Sequence, residues 1–427
     1  MKIAIIGAGV GGLAAAHDLV KAGHAVTIFE AASYVGGLAA GFKEAHWASS
    51  VEQFYHHWFL SDQDMYDFMR ELGLYQNRRV YRPKTVAYTG GKFYPLDSPL
   101  AALTFPGFTF IDMVRFGLAT VYLRYLASWQ PLEKITAHAW MRKYYGERNY
   151  INLFEPLLQG KFGSHYQEVN MAWFWARIKA RTTQLATYQG GFQAFADDAA
   201  ENLRARGVKI LLNTPVQKIA VNPSGGLDLA LPGGPETFDR CLVTSSPGQL
   251  ARLAPDLPPA YLRGLLDLKQ MGAVVVVLSL TDALSEEGYY WFSLPKSAGY
   301  PFLALVEHTN LVPTTEFGGE HIVYIGDYLD NDHEHFQLTK EQLLERLLPT
   351  LTKFNPRFSP DWVLKSWLFK THYAQPIPLV NHSQNIPAIQ TPLPGLYFAS
   401  MSQVYPWDRG TNFAVQIGRK AAQLILE

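Results

Sequence analysis

Three glycines at positions 7, 9 and 12, an acid at position 30 and two arginines four residues apart are the parts of this 427-residue chain best suited to chemistry. Gly7, Gly9 and Gly12, with Gly11 between the last two, form a G-x-G-x-x-G run. The first glycine permits a tight turn, the second lets backbone N–H groups approach a pyrophosphate, and the third lets helix and strand pack closely. Glu30 closes the next apolar run. A carboxylate there accepts hydrogen bonds from ribose hydroxyls and repels a 2′-phosphate. Arg177 and Arg181 share one face of a helix at i, i+4 and could clamp a carboxylate or diphosphate; a solvated basic stripe is the competing reading.

Other groups could move protons. His56 and His57 follow an apolar-aromatic run in "EQFYHHWF", where a histidine could relay a proton or shift a redox balance. A pair split between core and surface explains them equally well. Lys370 and Tyr373, in "WLFKTHYAQP", would frame a substrate from the end of a strand, although packing also accounts for the neighbouring aromatics. His333 and His335 stand among carboxylates, but a polar loop explains them better than a metal site, and no metal is expected. Cys241, the one cysteine, reads as a small buried hydrophobe. There is no G-x-S-x-G, phosphate-loop lysine or zinc-ligand spacing to support a hydrolase or nucleotide triphosphatase.

The elements that must carry these residues are legible near the start. Residues 2 to 6 predict a buried strand, and 11 to 22 a helix with Leu13, Ala16 and Leu19 on one face. Lys21-Ala22-Gly23 ends the helix and "HAVTIFE" supplies a second strand. Further along, 273–280, 289–294, 302–309, 321–328 and 362–370 read as strands of a second sheet, joined by a hairpin around Gly90-Gly91. Residues 109–181 read as helical. There Ile111, Val114, Leu118, Val121, Tyr122 and Tyr125 recur at helical spacing, with Asp112, Arg115 and Arg124 off the stripe. Burial against its own domain is favoured, because charge interrupts the stretch; a membrane-facing helix that gathers lipophilic substrate is the alternative.

Length suggests two or three domains. With 37 basic against 37 acidic residues there is no global field for nucleic acid. Ten Trp, 23 Tyr and 25 Phe suit pockets for bulky ligands. One cysteine excludes an internal disulfide and points to a reducing, cytoplasmic compartment. The glycine run begins too early for a cleavable leader, and no apolar run is long enough to predict a transmembrane span, which leaves peripheral membrane contact open.

With "EAASYVGGLA" the opening resembles the extended fingerprint of the flavin amine oxidase superfamily, Gly36-Gly37 following the acid. Leu38 stands where amine oxidases usually carry arginine. The segment 188–220 is similar to the one that returns to the nucleotide domain, and the resemblance places the backbone near Val216 against adenine. Residues 395–427 resemble the C-terminal flavin segment, a strand followed by a helix whose N-terminus, here Gly410, Thr411 and Asn412, meets the isoalloxazine. Ser400 and Met401 replace the Gly-Asp of many relatives. His56 and His57 resemble a segment near the flavin in UDP-galactopyranose mutases and protoporphyrinogen oxidase-like proteins, and Arg177 and Arg181 match the R-I-x-x-R of the mutases.

The resemblance, closest to protoporphyrinogen oxidase-like enzymes, implies an α/β fold. A Rossmann-like FAD-binding domain (1–80, 188–250, 385–427) would interleave with a substrate domain of mixed sheet (81–187, 251–384) carrying a helical cap at 109–181. It implies non-covalent FAD and hydride abstraction from a bulky organic substrate, with reoxidation by oxygen or another acceptor. Two alternatives stay open: a mutase-type flavin isomerase acting on a sugar nucleotide, and a non-catalytic flavin-binding subunit.

Overall fold

The computed structural model describes residues 1–95, 101, 106, 108–223, 225–295 and 298–427. The opening unit forms as the sequence predicts: strand Lys2–Ile6, helix Val10–Lys21, strand Ala25–Phe29. Gly23, at φ +83°, turns the chain out of the helix in the left-handed region that glycine tolerates. Three strands from far along the chain complete a five-stranded sheet. Its order is Lys209–Leu211, Ala25–Phe29, Lys2–Ile6, Arg240–Val243, Leu396–Phe398, parallel throughout. Ile3, Ile5 and Ala4, on opposite faces of one strand, are all fully buried. Burial on both faces is why these strands read as continuous apolar runs.

The last helix, Thr411–Leu426, lies directly on the first. A Cβ at Gly418 would stand 2.2 Å from the Gly11 carbonyl oxygen, and one at Gly11 would stand 3.0 Å from that of Ala414. Small residues on both helices permit this approach, which sets the two helix starts side by side.

The second sheet has seven strands in the order Val363–Pro376, Gln270–Leu280, His321–Leu329, Ala304–Glu307, Tyr289–Ser293, Lys84–Thr89, Lys92–Pro95. All five strands read from the sequence are present, and the Gly90-Gly91 hairpin joins the last pair. Both glycines have positive φ, +55° and +84°, as a tight hairpin turn demands. Along Gln270–Leu280, Val274, Val276 and Leu278 enter one apolar cluster and Val275 and Val277 another, so this sheet too is covered on both faces.

Between these parts, helices Phe110–Val121, Ala137–Tyr144, Glu155–Phe162 and Met171–Ala180 pack around Trp140, Tyr145, Phe154, Phe162 and Trp173. The first of them overturns the favoured burial of its apolar stripe. Ile111 is 67% exposed, Leu118 68% and Tyr125 73%. The off-stripe arginines turn inward instead. Arg115 donates to the carbonyls of Lys143 and Tyr144, and Arg124 to that of Lys179. Together with Ala119 and Leu123 they occupy the packed face. Long side chains carried the charge to backbone acceptors, and the apolar face was left outside. No helix of the described residues is long and apolar enough to cross a membrane.

Candidate active site

At the carboxyl edge of the parallel sheet the glycines do what their spacing predicts. Gly7 has φ +109°, and a Cβ on Gly12 would lie 2.2 Å from the Gly7 carbonyl oxygen. Gly9 precedes helix Val10–Lys21 with no side-chain cap, and a Cβ there would meet nothing nearer than the Gly37 Cα at 3.8 Å. That open space beside free backbone N–H groups is where a phosphate would sit. Gly36 and Gly37, both at positive φ, close against the loop: Gly36 N–H donates to the Ala8 carbonyl at 2.9 Å. Leu38 is exposed at the rim.

Glu30 stands at the end of its strand. One carboxylate oxygen accepts the Ala8 N–H at 2.8 Å and the other the Ala32 N–H at 2.8 Å. Each oxygen keeps a lone pair for a ribose hydroxyl. Beside it, Asn213 and Thr214 donate their N–H groups to the carbonyls of Ala32 and Glu30, and Val216 is buried just beyond, among Phe29 and Phe238.

The C-terminal helix also starts without a side-chain cap, at Gly410. The side chains of Thr411 and Asn412 are not turned to a ligand: they accept the Trp58 indole N–H at 2.7 Å and the Met65 N–H at 3.0 Å. They anchor the helix, and its first N–H groups remain for a cofactor. Ser400 donates its N–H to Gln403 at 2.7 Å and approaches Tyr373, with Met401 half-buried alongside. Two uncapped helix starts, a glycine cradle and a terminal carboxylate on one sheet edge fit a dinucleotide.

His56 and His57 lie deep yet keep accessible surface, as residues lining an internal cleft do. The His56 Nδ1 faces the Phe54 carbonyl at 2.5 Å, and the His57 Nδ1 faces the Tyr55 hydroxyl at 3.0 Å. Burial lowers His56 to about 4, with Arg409 adding to the effect. Burial, then Arg181, lower His57 to about 3. Both imidazoles are therefore neutral near pH 7.

Tyr373 reaches the turn before the C-terminal helix through Ser402. Lys370 does not come with it. Its ammonium donates to the carbonyls of Phe336 at 2.9 Å and Leu338 at 2.6 Å, so the expectation that it serves the reaction is corrected to a structural one. The strand bulges between them: Thr371 pairs with Ala273 and Gln375 with Met271, so the chain carries extra residues there.

Arg177 pairs with Asp408 at 2.9 Å, and Arg181, exposed just past the end of the same helix, lies within electrostatic reach of Arg177. Two cations that the sequence did not single out join them, Lys161 and Arg409. Burial would raise Asp408, but Lys161, Arg409 and Arg177 outweigh it and hold the carboxyl well below its usual range. Burial, reinforced by Arg409 and Arg177, pushes the Lys161 amine well down, and burial with Arg177 lowers Arg181 to about 10.

Residues 10–426 match the family model described as flavin containing amine oxidoreductase. The chain is 32% identical over 133 residues to "Probable zeta-carotene desaturase" of Synechococcus elongatus, a stretch covering 28% of this chain and 27% of that protein. It thus spans about a quarter of that relative's length. The fold is similar to that of "Putative protoporphyrinogen oxidase" from Exiguobacterium sp. 255-15, with a TM-score of 0.78 at 18% identity over 99% of this chain and 98% of the other. It is also similar to a reduced UDP-galactopyranose mutase, with a TM-score of 0.77 at 15% identity over 100% and 95%. At such identities the likeness shows the mixed α/β fold alone.

Proposed function

The chain belongs to the flavin containing amine oxidoreductase family, and from that premise we propose that it is an FAD-dependent oxidoreductase acting on a bulky organic substrate. The observation that carries the reading is the pair of uncapped helix starts, at Gly9 and Gly410, brought together beside Glu30. FAD, when bound, would supply the acceptor for a hydride. Gly7, Gly9, Gly11, Gly12, Gly36 and Gly37 would admit its pyrophosphate, Glu30 would hold its ribose, and the backbone near Val216 its adenine. Binding would be non-covalent as far as thiols go, since Cys241 is buried in the parallel sheet.

In this reading residues 1–80, 188–250 and 385–427 bind the cofactor and the remainder forms the substrate side. His56 and His57 accept or relay a proton, and Tyr373 positions the turn at 400–402. Arg177 and Arg181 hold the substrate. The isomerase alternative keeps one specific support, the cationic side chains within electrostatic reach of His57. The outward apolar face of helix Phe110–Val121 supports peripheral contact with an anionic bilayer. Residues 109–149 around it carry six Lys and Arg against three Asp and Glu in a chain that is neutral as a whole.

The test is acid extraction of the purified protein, followed by anaerobic titration with amines, porphyrinogens, polyenes and UDP-sugars. FAD in the extract and bleaching by one donor alone are expected. Turnover only after prior reduction would give the isomerase reading. A bound flavin that no donor bleaches and no sugar nucleotide engages would leave a binding subunit.

A further inference from the structure

Glu52 joins three parts of the fold through one carboxyl group. It lies on strand Val51–Glu52 and is only 1% exposed. Its Oε1 accepts the N–H of Phe192, in the first turn of helix Gly191–Ala205, at 3.0 Å. Its Oε2 meets the Tyr324 hydroxyl, on strand His321–Leu329, at 3.2 Å. The Tyr324 ring stands edge-on to Tyr55 at 5.6 Å, and the Tyr55 hydroxyl lies 3.0 Å from the His57 Nδ1. The His57 Nε2 has no partner among the described residues and stays accessible.

Glu52 is buried but not cut off from water. It lines a cavity of about 90 Å³ with Ser50, Arg79, Tyr81, His308 and Glu316, wide enough for water to deliver or remove a proton.

The direction of the hydrogen bonds depends on that proton. An ionised carboxylate only accepts. Tyr324 then donates to Glu52, and the negative charge draws the Tyr55 hydrogen the same way; the same charge adds to burial in raising Tyr55. The Tyr55 oxygen is left to accept from a His57 Nδ1–H, and Nε2 carries a lone pair. With Oε1 engaged by Phe192, a proton on Glu52 sits on Oε2 and is donated to Tyr324. The dipoles now point toward His57, Tyr55 donates to Nδ1, and Nε2 carries the hydrogen.

The surrounding groups do not change charge with it. Burial keeps His56 and His308 neutral near pH 7, and burial with Arg181, Arg177 and Lys161 does so for His57. Burial raises Tyr55, Tyr81, Tyr188 and Tyr324. Arg79, a fixed cation, donates to the carbonyls of Gln76 and Arg78, and Glu316 accepts the Ser49 hydroxyl at 2.7 Å.

We propose that Glu52 is a positioning residue for the candidate active site: through Tyr324 and Tyr55 its protonation decides which nitrogen of His57 carries the hydrogen, and so whether the cleft meets an Nε2–H donor or an Nε2 lone pair. This rests on the flavin reading only in taking the space beside His57 as the place of reaction.

The experiment uses the purified full chain with its flavin content measured first and its histidines isotope-labelled for nitrogen NMR. His57 is assigned by the signals lost in His57→Gln, and its Nδ1 is followed from about pH 5 to about pH 8.5. Nδ1 should pass from a bare to a hydrogen-bearing nitrogen as pH rises, with a midpoint at about 7 and the ring neutral throughout. Glu52→Gln should hold one tautomer across the range, and Tyr55→Phe should leave His57 insensitive to pH. Tyr324→Phe removes a bond that favours the ionised acid, so the midpoint should move up. Glu316→Gln should leave it in place.

A parent Nδ1 that does not change, or a change that survives Glu52→Gln, overturns the proposal. Should Glu52→Gln fail to fold, a change retained in Tyr55→Phe overturns it equally. Flavin bound beside a fixed tautomer would refute the positioning role alone. A tautomer change in protein that binds no flavin would refute the FAD reading alone.

Discussion

Tyr373 and Ser402 are joined twice: the Ser402 N–H donates to the phenolic oxygen at 2.9 Å, and the two hydroxyls meet at 2.8 Å. This ties the longest strand of the second sheet to the turn that leads into the C-terminal helix. A single hydroxyl therefore couples the seven-stranded sheet to the start of the C-terminal segment.

Tyr373→Phe removes that acceptor and leaves a buried N–H without its partner. The fold should survive, and flavin should bind several-fold more weakly, as expected for the loss of about 1 kcal/mol. Flavin fluorescence titration reads this directly; an unchanged dissociation constant would mean the turn is held by other means.

Glu30→Ala releases the Ala8 and Ala32 N–H groups together and takes away the ribose acceptor. Retention of FAD should fall roughly ten- to a hundredfold while circular dichroism stays native. Gly9→Val should go further, because its side chain enters the space left for phosphate, and flavin should be nearly absent from the purified variant. Full occupancy in the Gly9 variant would refute the cradle.

Glu52 is buried and accepts the Phe192 N–H at 3.0 Å and the Tyr324 hydroxyl at 3.2 Å. Burial lifts it from 4.5 to about 7, against the pull of those bonds. A carboxyl whose folded value exceeds its unfolded one holds its proton more tightly in the native state. Its contribution to stability is therefore complete below about 4.5 and is lost as pH rises through about 7. Glu52→Gln cannot ionise. Its melting temperature minus that of the parent should rise between pH 5 and pH 7.5 and level off above; a difference flat across that window would contradict the assignment.

Leu118 and Tyr125 touch mostly solvent, so Leu118→Asp with Tyr125→Asp should leave the melting temperature within a degree or two of the parent. Flotation with vesicles containing phosphatidylserine should nonetheless drop sharply. Equal flotation of parent and variant, or none by either, would remove the bilayer from consideration.

Local patterns carried much of the architecture. Gly7, Gly9, Gly12 and Glu30 lie within one contiguous unit whose turn chemistry is set by neighbours, and the Gly90-Gly91 hairpin is equally local. The cationic cluster is not local. Lys161 and Arg409 are separated by most of the second sheet, and nothing in either neighbourhood marks them as partners of Arg177. The apolar stripe around Leu118 had the right period, but period cannot say which face packs when arginines are long enough to reach backbone carbonyls. Thr411 and Asn412 sat at the expected helix start, yet their side chains were claimed by Trp58 and Met65, contacts that only the closed fold creates. Gly418 sits in an ordinary helix by sequence, and its need for a missing side chain arises from Gly11, at the other end of the chain.

That last contact governs the order of events during synthesis. The first helix cannot be seated until Gly418 has emerged, nor can the parallel sheet close before Leu396–Phe398 arrives to pair with Arg240–Val243. At ordinary translation speeds the opening strand and its glycine turn wait roughly 20 to 80 s, with unpaired edges and apolar faces uncovered. The nascent chain should therefore be a client of ribosome-associated chaperones, and a slowed stretch of codons between the first and last strands would lengthen its exposure without changing a single residue.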